Sequence, residues 1–180
     1  MVIILGKQLI DGNEKEKAVF NQATLLHNIN LVIRKAMDSD SLIVFIRDKD
    51  VAEGSGEGFE IHQAIDIPTK AMILDKEATN AFYGTPLLKV LQDNQIEHLV
   101  VMGCKTEHCV DTTVRMATVS GFDVTLVEDG HSTTDSQSLT AEQIIHHHNE
   151  ILHGHYNVDN FSVVRKAADT LFQPTHNDYR

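Results

Sequence analysis

Five short apolar runs contain almost no polar interruptions, and they constrain the fold of this chain more than any other feature. They are Val2–Leu5, Leu42–Ile46, Ala71–Leu74, His98–Met102 and Asp123–Val127. A strand with one face in water alternates polar and apolar residues; runs that do not alternate are covered on both faces, as in a parallel sheet. Between them lie stretches of helical spacing. Leu25, Leu26, Ile29, Val32, Ile33 and Ala36 form one stripe, Leu87, Leu88, Val90 and Leu91 a second, and Val110, Val114, Ala117 and Thr118 a third. From Leu139 to Leu152 a fourth helix is expected, with Ile144, Ile145, His148, Ile151 and Leu152 on one side. Strands alternating with helices imply right-handed crossovers. The expected fold class is therefore α/β, a three-layer sandwich around a mostly parallel, Rossmann-like sheet.

The 180 residues suit one domain of this kind. No repeat, low-complexity tract or Pro-rich linker divides the chain, and only three prolines occur. Residues 1–180 are therefore read as a single domain. Within it, 156–180 form a C-terminal extension: a strand-like run Phe161–Val164, a short helical pattern Arg165–Phe172 and a polar end after Pro174. A net charge of −11 argues against nonspecific binding to nucleic acid or to an anionic membrane. The opening Met1–Gly6 lacks the basic start and cleavage site of a signal peptide and is too short to span a bilayer. Two cysteines, Cys104 and Cys109, make no disulfide framework, and their spacing fits neither a redox CxxC pair nor a zinc knuckle. A cytoplasmic location is the resulting expectation.

Ligands of a parallel sheet bind beyond the carboxyl ends of its strands. That rule singles out Gly6-Lys7-Gln8, Arg47-Asp48, Asp75-Lys76, the stretch from Cys104 to Cys109, and Glu128-Asp129. Thr106-Glu107-His108-Cys109-Val110 follows the apolar Leu99-Val100-Val101-Met102-Gly103. It reads as a buried strand that turns and delivers Cys109 into the first turn of a helix. The partial positive charge there favours the thiolate, the nucleophilic form. Cys104 reads as packing below the site. Gly54-Ser55-Gly56-Glu57-Gly58 lies among acidic residues that would repel phosphate, so it reads as a loop or lid over the site. Adjacent helix residues point in different directions, so His146, His147 and His148 cannot all ligate one metal ion.

Two longer motifs carry a resemblance. Lys76-Glu77-Ala78-Thr79-Asn80-Ala81-Phe82-Tyr83-Gly84-Thr85 is followed by Gly103-Cys104-Lys105-Thr106-Glu107-His108-Cys109-Val110-Asp111-Thr112-Thr113, then by Gly121-Phe122-Asp123-Val124 and Glu128-Asp129-Gly130. In order and spacing they resemble the isochorismatase-like cysteine hydrolases, over roughly residues 1–155. The segment Thr140-Ala141-Glu142-Gln143-Ile144-Ile145-His146-His147-His148-Asn149 resembles the branch that includes streptothricin hydrolase, a cyclic-amide hydrolase. The resemblance implies that family's fold, a Cys109 nucleophile and a supporting Lys76. It also implies an oxyanion hole formed by the backbone N–H groups of Lys105 and Cys109, beside a cis bond between Cys104 and Lys105. Gln8, Phe82, Thr106 and His108 are candidate pocket residues. No cofactor is implied, and a homodimer or larger homo-oligomer is, with the helix after Leu139 and the C-terminal tail as interface pieces. The metal signature of the nicotinamidase branch has no counterpart in Arg47-Asp48-Lys49-Asp50, and His62 stands alone. No metal is expected.

The first strand departs from the family pattern. Where the family has Asp-x-Gln, this chain has Gly6-Lys7-Gln8. The family's Asp takes the thiol proton and returns it to the leaving amine, and Gly6 can do neither. Asp11, Asp48, Glu107 and His108 are the nearby candidates to replace it, unranked by sequence. The principal expectation is a cofactor-free hydrolase that cleaves an amide-type C–N bond of a small molecule through a Cys109 thioester. One alternative is a pseudoenzyme or small-molecule binding protein that has lost its carboxylate. An isochorismate-type vinyl-ether hydrolase fits less well, because it needs an acid at position 6.

Overall fold

The computed structural model describes residues 1–172. Strands β1 (Val2–Ile4), β2 (Val44–Asp48), β3 (Met72–Lys76), β4 (His98–Cys104), β5 (Asp123–Ser132), β6 (His155–Asn157) and β7 (Asn160–Arg165) form one sheet, in the order β3-β2-β1-β4-β5-β7-β6. Every neighbouring pair is parallel except β6 with β7. The helices are α1 (Lys7–Asp11), α2 (Gln22–Asp38), α3 (Gly56–Phe59), α4 (Leu87–Asp93), α5 (Asp111–Val119) and α6 (Ala141–Leu152).

Both faces are covered along β1, β2, β4 and β5, as their unbroken apolar runs require; the run that became β3 is an edge strand, and its Ile73 is exposed. Ile3 and Leu5 join Leu25, Ile29, Val32, Ile33 and Ala36 of α2 in one core. Val2 and Ile4 point the other way, to Leu87 and Leu91 of α4 and Val114 and Ala117 of α5. Each fully buried Leu or Ile contributes roughly 1.5–3 kcal/mol relative to exposure. Two cores of this size hold the three-layer sandwich together.

Several local expectations change. The last long helix starts at Ala141, because Thr140 caps it: its side chain accepts from the Gln143 N–H while the Gln143 side chain accepts from the Thr140 N–H. Ile151, placed by spacing on the apolar side, is exposed. The segment read as an extension is partly integral to the sheet, since β7 pairs with β5 in the register Val124↔Ser162. Arg165–Phe172 is not helical. The Ala167 N–H donates to Asp129 Oδ1 at 2.8 Å, and Lys35 Nζ donates to the carbonyls of Ala167 and Asp169. These long-range bonds hold the segment in turns. The polar end after Pro174 lies outside the described residues. Among those residues, no helix is long and apolar enough to cross a membrane.

One glycine brings the strands together where the site forms. Gly103 has φ +128°, and a Cβ there would lie 2.1 Å from the Ile4 carbonyl oxygen. Only glycine lets β4 run this close to β1. The peptide bond that follows, Cys104–Lys105, is cis.

Candidate active site

Strand register assembles the site. On the parallel pair β2–β3, Asp48 and Lys76 are direct partners at the two carboxyl ends. The Lys76 ammonium is buried, so all three of its donors need acceptors. They reach the Asp48 carboxylate, the Ala78 carbonyl at 2.8 Å and Cys109 Sγ at 3.2 Å. The thiol in turn lies 3.6 Å from Asp48 Oδ2, close enough to donate to it. Relative exposures of 1% for Lys76, 7% for Cys109 and 8% for Asp48 make this a desolvated cluster, in which charges interact strongly.

Cys109 sits in a π turn, Thr106–Val110, that precedes α5. The Lys105 carbonyl accepts from the N–H groups of His108 and Val110, both at 3.2 Å. Helix position alone does not make the thiolate easy to form. Burial pushes the Cys109 thiol up from its ordinary value, Lys76 pulls it down, and Asp48 acts against Lys76. The cation that lowers the thiol's proton affinity is Lys76, in contact with the sulfur at 3.2 Å. Burial pushes Cys104 up to about 12, in keeping with packing rather than chemistry.

Gly6 is extended (φ −140°, ψ 150°), a conformation open to any residue. The β1–β2 register pairs Ile4 with Ile46, so two residues further on Gly6 shares a row with Asp48. Adjacent strands are about 4.8 Å apart. A Cβ at position 6 would meet only ordinary contacts, the nearest being Val51 Cγ1 at 3.6 Å. Of the four candidates to replace an acid at position 6, Asp48 alone touches the sulfur. Asp11 bonds His62 Nε2 at 3.1 Å and Gln22. Glu107 accepts from Thr133 Oγ1 at 2.9 Å. His108 is exposed. The signal that ranks them is the pairing of β2 with β3, which is absent from a linear reading.

A cavity of about 360 Å³ opens before the sulfur, within the size range of small-molecule sites. Gln8, Asp50, Lys105 and His108 line it with Asp48 and Cys109. Two candidate pocket residues lie elsewhere. Phe82 is stacked on Phe122, ring centroids 6.3 Å apart, and belongs to the core. Thr106 is buried against His131. The glycine-rich segment 54–58 spans the end of a turn, in which Ala52 and Glu53 are left-handed, and most of α3; Val51, at the start of that turn, lines the cavity, and the five residues of the segment do not. His148 Nδ1 bonds the Ile144 carbonyl oxygen at 2.8 Å. Among the described residues, no group of three or more His, Cys, Asp and Glu side chains is placed to hold a metal ion.

His131, absent from the sequence reading, is buried beneath the turn, and burial pushes its imidazole down to about 4. The unfolded chain takes up that proton near pH 6.5, so between 6.5 and 4 the unfolded state holds more protons. Stability from this group is complete above pH 6.5 and is lost as the pH falls to 4, by about 3 kcal/mol. Urea unfolding of wild type and His131→Gln at pH 7 and pH 4.5 checks this. The wild type is expected to lose more stability between the two values, and parallel losses would contradict it.

A family model described as Isochorismatase domain matches residues 3–149. The isochorismatase family protein YddQ of Bacillus subtilis is 37% identical over 81 residues, 45% of each chain. Streptothricin hydrolase of Streptomyces noursei is 35% identical over 78 residues, which make up 43% of this chain and 31% of that protein. The matches thus span less than half the length of these two relatives. A solved structure of an isochorismatase family protein shares the fold with a TM-score of 0.78 at 26% identity, covering 91% of this chain and 95% of that one.

Proposed function

The chain belongs to the isochorismatase family, and we propose that it is a cofactor-free hydrolase that cleaves an amide-type C–N bond of a small molecule through a thioester on Cys109. The observation that carries this reading is the three-way contact of Cys109 with Lys76 at 3.2 Å and Asp48 at 3.6 Å. Asp48 takes the thiol proton, and the thiolate, held by Lys76, attacks the substrate carbonyl. The N–H groups of Lys105 and Cys109 receive the oxyanion, and such donors act most strongly in the transition state. Asp48 returns its proton to the departing amine, leaving the acyl group on sulfur. A water, deprotonated by Asp48, then attacks the thioester. The acid departs and the thiol regains its proton.

The binding-protein alternative drew its motive from the missing carboxylate at Gly6. A carboxylate one strand across, in contact with the same sulfur, supplies the function that glycine lacks. The hydrolase reading is supported by the relative named as a streptothricin hydrolase. The test is turnover of a panel of small linear and cyclic amides by the wild type and Cys109→Ala. The wild type is expected to hydrolyse at least one, and Cys109→Ala to lose at least about 10³-fold, the scale of losing a covalent nucleophile. Equal turnover by the two proteins would refute the thioester route.

A further inference from the structure

The turn that carries Cys109 is tied to α6 by a hydrogen-bond chain that the proposed chemistry does not use. Asn149 Nδ2 donates to the Glu128 carbonyl at 3.1 Å, which turns Oδ1 toward His131 Nε2, 2.9 Å away. An acceptor at that nitrogen requires its proton to be there. His131 Nδ1 is then the bare nitrogen, and it lies 2.9 Å from the Thr106 hydroxyl, which must donate to it. Thr106 and His131 are 1% and 3% exposed, so water cannot readily replace either partner. Thr106 opens the turn, and its carbonyl accepts the Asp111 N–H at the turn's far end. The β4–β5 register sets His131 opposite Gly103, where β4 bends toward the nucleophile.

We propose that His131 and Asn149 are positioning residues for Cys109: they fix the direction of the Thr106 hydroxyl and, through it, the placement of the turn that holds the sulfur against Lys76 and Asp48. The proposal rests on Cys109 being the nucleophile. Donation runs one way, from the Thr106 hydroxyl through His131 and Asn149 to the Glu128 carbonyl, because that carbonyl can only accept and so fixes the Asn149 amide, which in turn fixes the His131 tautomer. Each break leaves a buried polar atom without its partner, so the turn shifts rather than tolerating the loss. The titratable groups around His131 are Asp129 and His148, with Glu128, Glu142 and His146 lining the neighbouring cavity and Glu107 bonded to Thr133 two residues along.

Alkylation of Cys109 by iodoacetamide, followed by peptide mass spectrometry from pH 5 to 9, tests this without any substrate. Thr106→Val is expected to slow alkylation at pH 7.5 by about tenfold, the scale of a sub-ångström displacement from a reactive geometry. Thr106→Ser, which keeps the hydroxyl, is expected to react at close to the wild-type rate. Asn149→Asp places a carboxylate on His131 and favours its protonation, so a second inflection enters the profile between pH 5 and 8. A merely structural link would change melting temperature but not that profile. Wild-type rates in Thr106→Val, or an unchanged profile in Asn149→Asp, would overturn the proposal. Should a variant fail to fold, long-range proton–nitrogen NMR on the wild type decides: the Nε2–H tautomer supports the chain, and the Nδ1–H tautomer or an imidazolium at pH 7 rejects it. If Cys109→Ala left amide turnover intact, the nucleophile reading would fall, while these arms would still report on the chain itself.

Discussion

Asp48→Asn is expected to make Cys109 more reactive and the protein less active. Asp48 raises the thiol's proton affinity in opposition to Lys76. Its removal leaves the buried ammonium facing the sulfur as its one anionic partner, so a larger fraction is thiolate at neutral pH and iodoacetamide reacts faster. Amide hydrolysis is expected to fall by about 10²–10⁴-fold, the usual worth of a general acid–base, because asparagine neither takes the thiol proton nor protonates the leaving amine. The two measurements therefore move in opposite directions. Slower alkylation alongside slower hydrolysis would reduce Asp48 to a packing role, and unchanged hydrolysis would mean that another group moves the proton. Gly6→Asp added to Asp48→Asn sets a carboxylate in the same row one strand away, where the backbone is extended and a Cβ has room. Partial recovery of turnover is the expected outcome.

Lys76→Met is expected to cost both stability and reactivity. The Lys76 side chain is 0% exposed and that of Asp48 is 11% exposed. Removing one partner of a buried ion pair strands the other, a loss of about 3–5 kcal/mol. Methionine roughly matches lysine in length, so the loss is one of charge rather than volume. Alkylation of Cys109 should slow as well, since burial then acts on the thiol without a cation to offset it. Urea denaturation of Lys76→Met and of the double variant Lys76→Met, Asp48→Leu separates the effects. The double variant is expected to regain much of the lost stability, because an apolar pair replaces a stranded charge, yet to remain inactive. A single variant as stable as the wild type would mean that the pair contributes nothing net to folding.

Much of the frame was legible along the chain. The five uninterrupted runs became β1 to β5; in β1, β2, β4 and β5 burial on both faces removes polar residues from the strand and so writes itself into composition, whereas β3 stands at the edge with Ile73 exposed. Cys109 and Lys76 were legible for a related reason: residues just past such strands fall on the sheet's ligand-binding edge. What escaped notice was either short or long-range. The three-residue β6 is an edge strand without an apolar run. The turns after β7 depend on Lys35, 132 positions from the Ala167 carbonyl it holds. For Phe82 the sequence left core and pocket wall both open, and its contact with Phe122 places it in the core.

The sequence by itself determined that a thiol and a lysine would fall at the carboxyl ends of strands of a parallel sheet, since that information is local and repeats in each strand–helix unit. Only the tertiary structure decided which carboxylate joins them. Asp48 lies 61 residues from Cys109, and the register of β2 on β3 brings it to the sulfur. The same holds for the balance of burial and charge on the thiol, which depends on distances that do not exist until the sheet has formed.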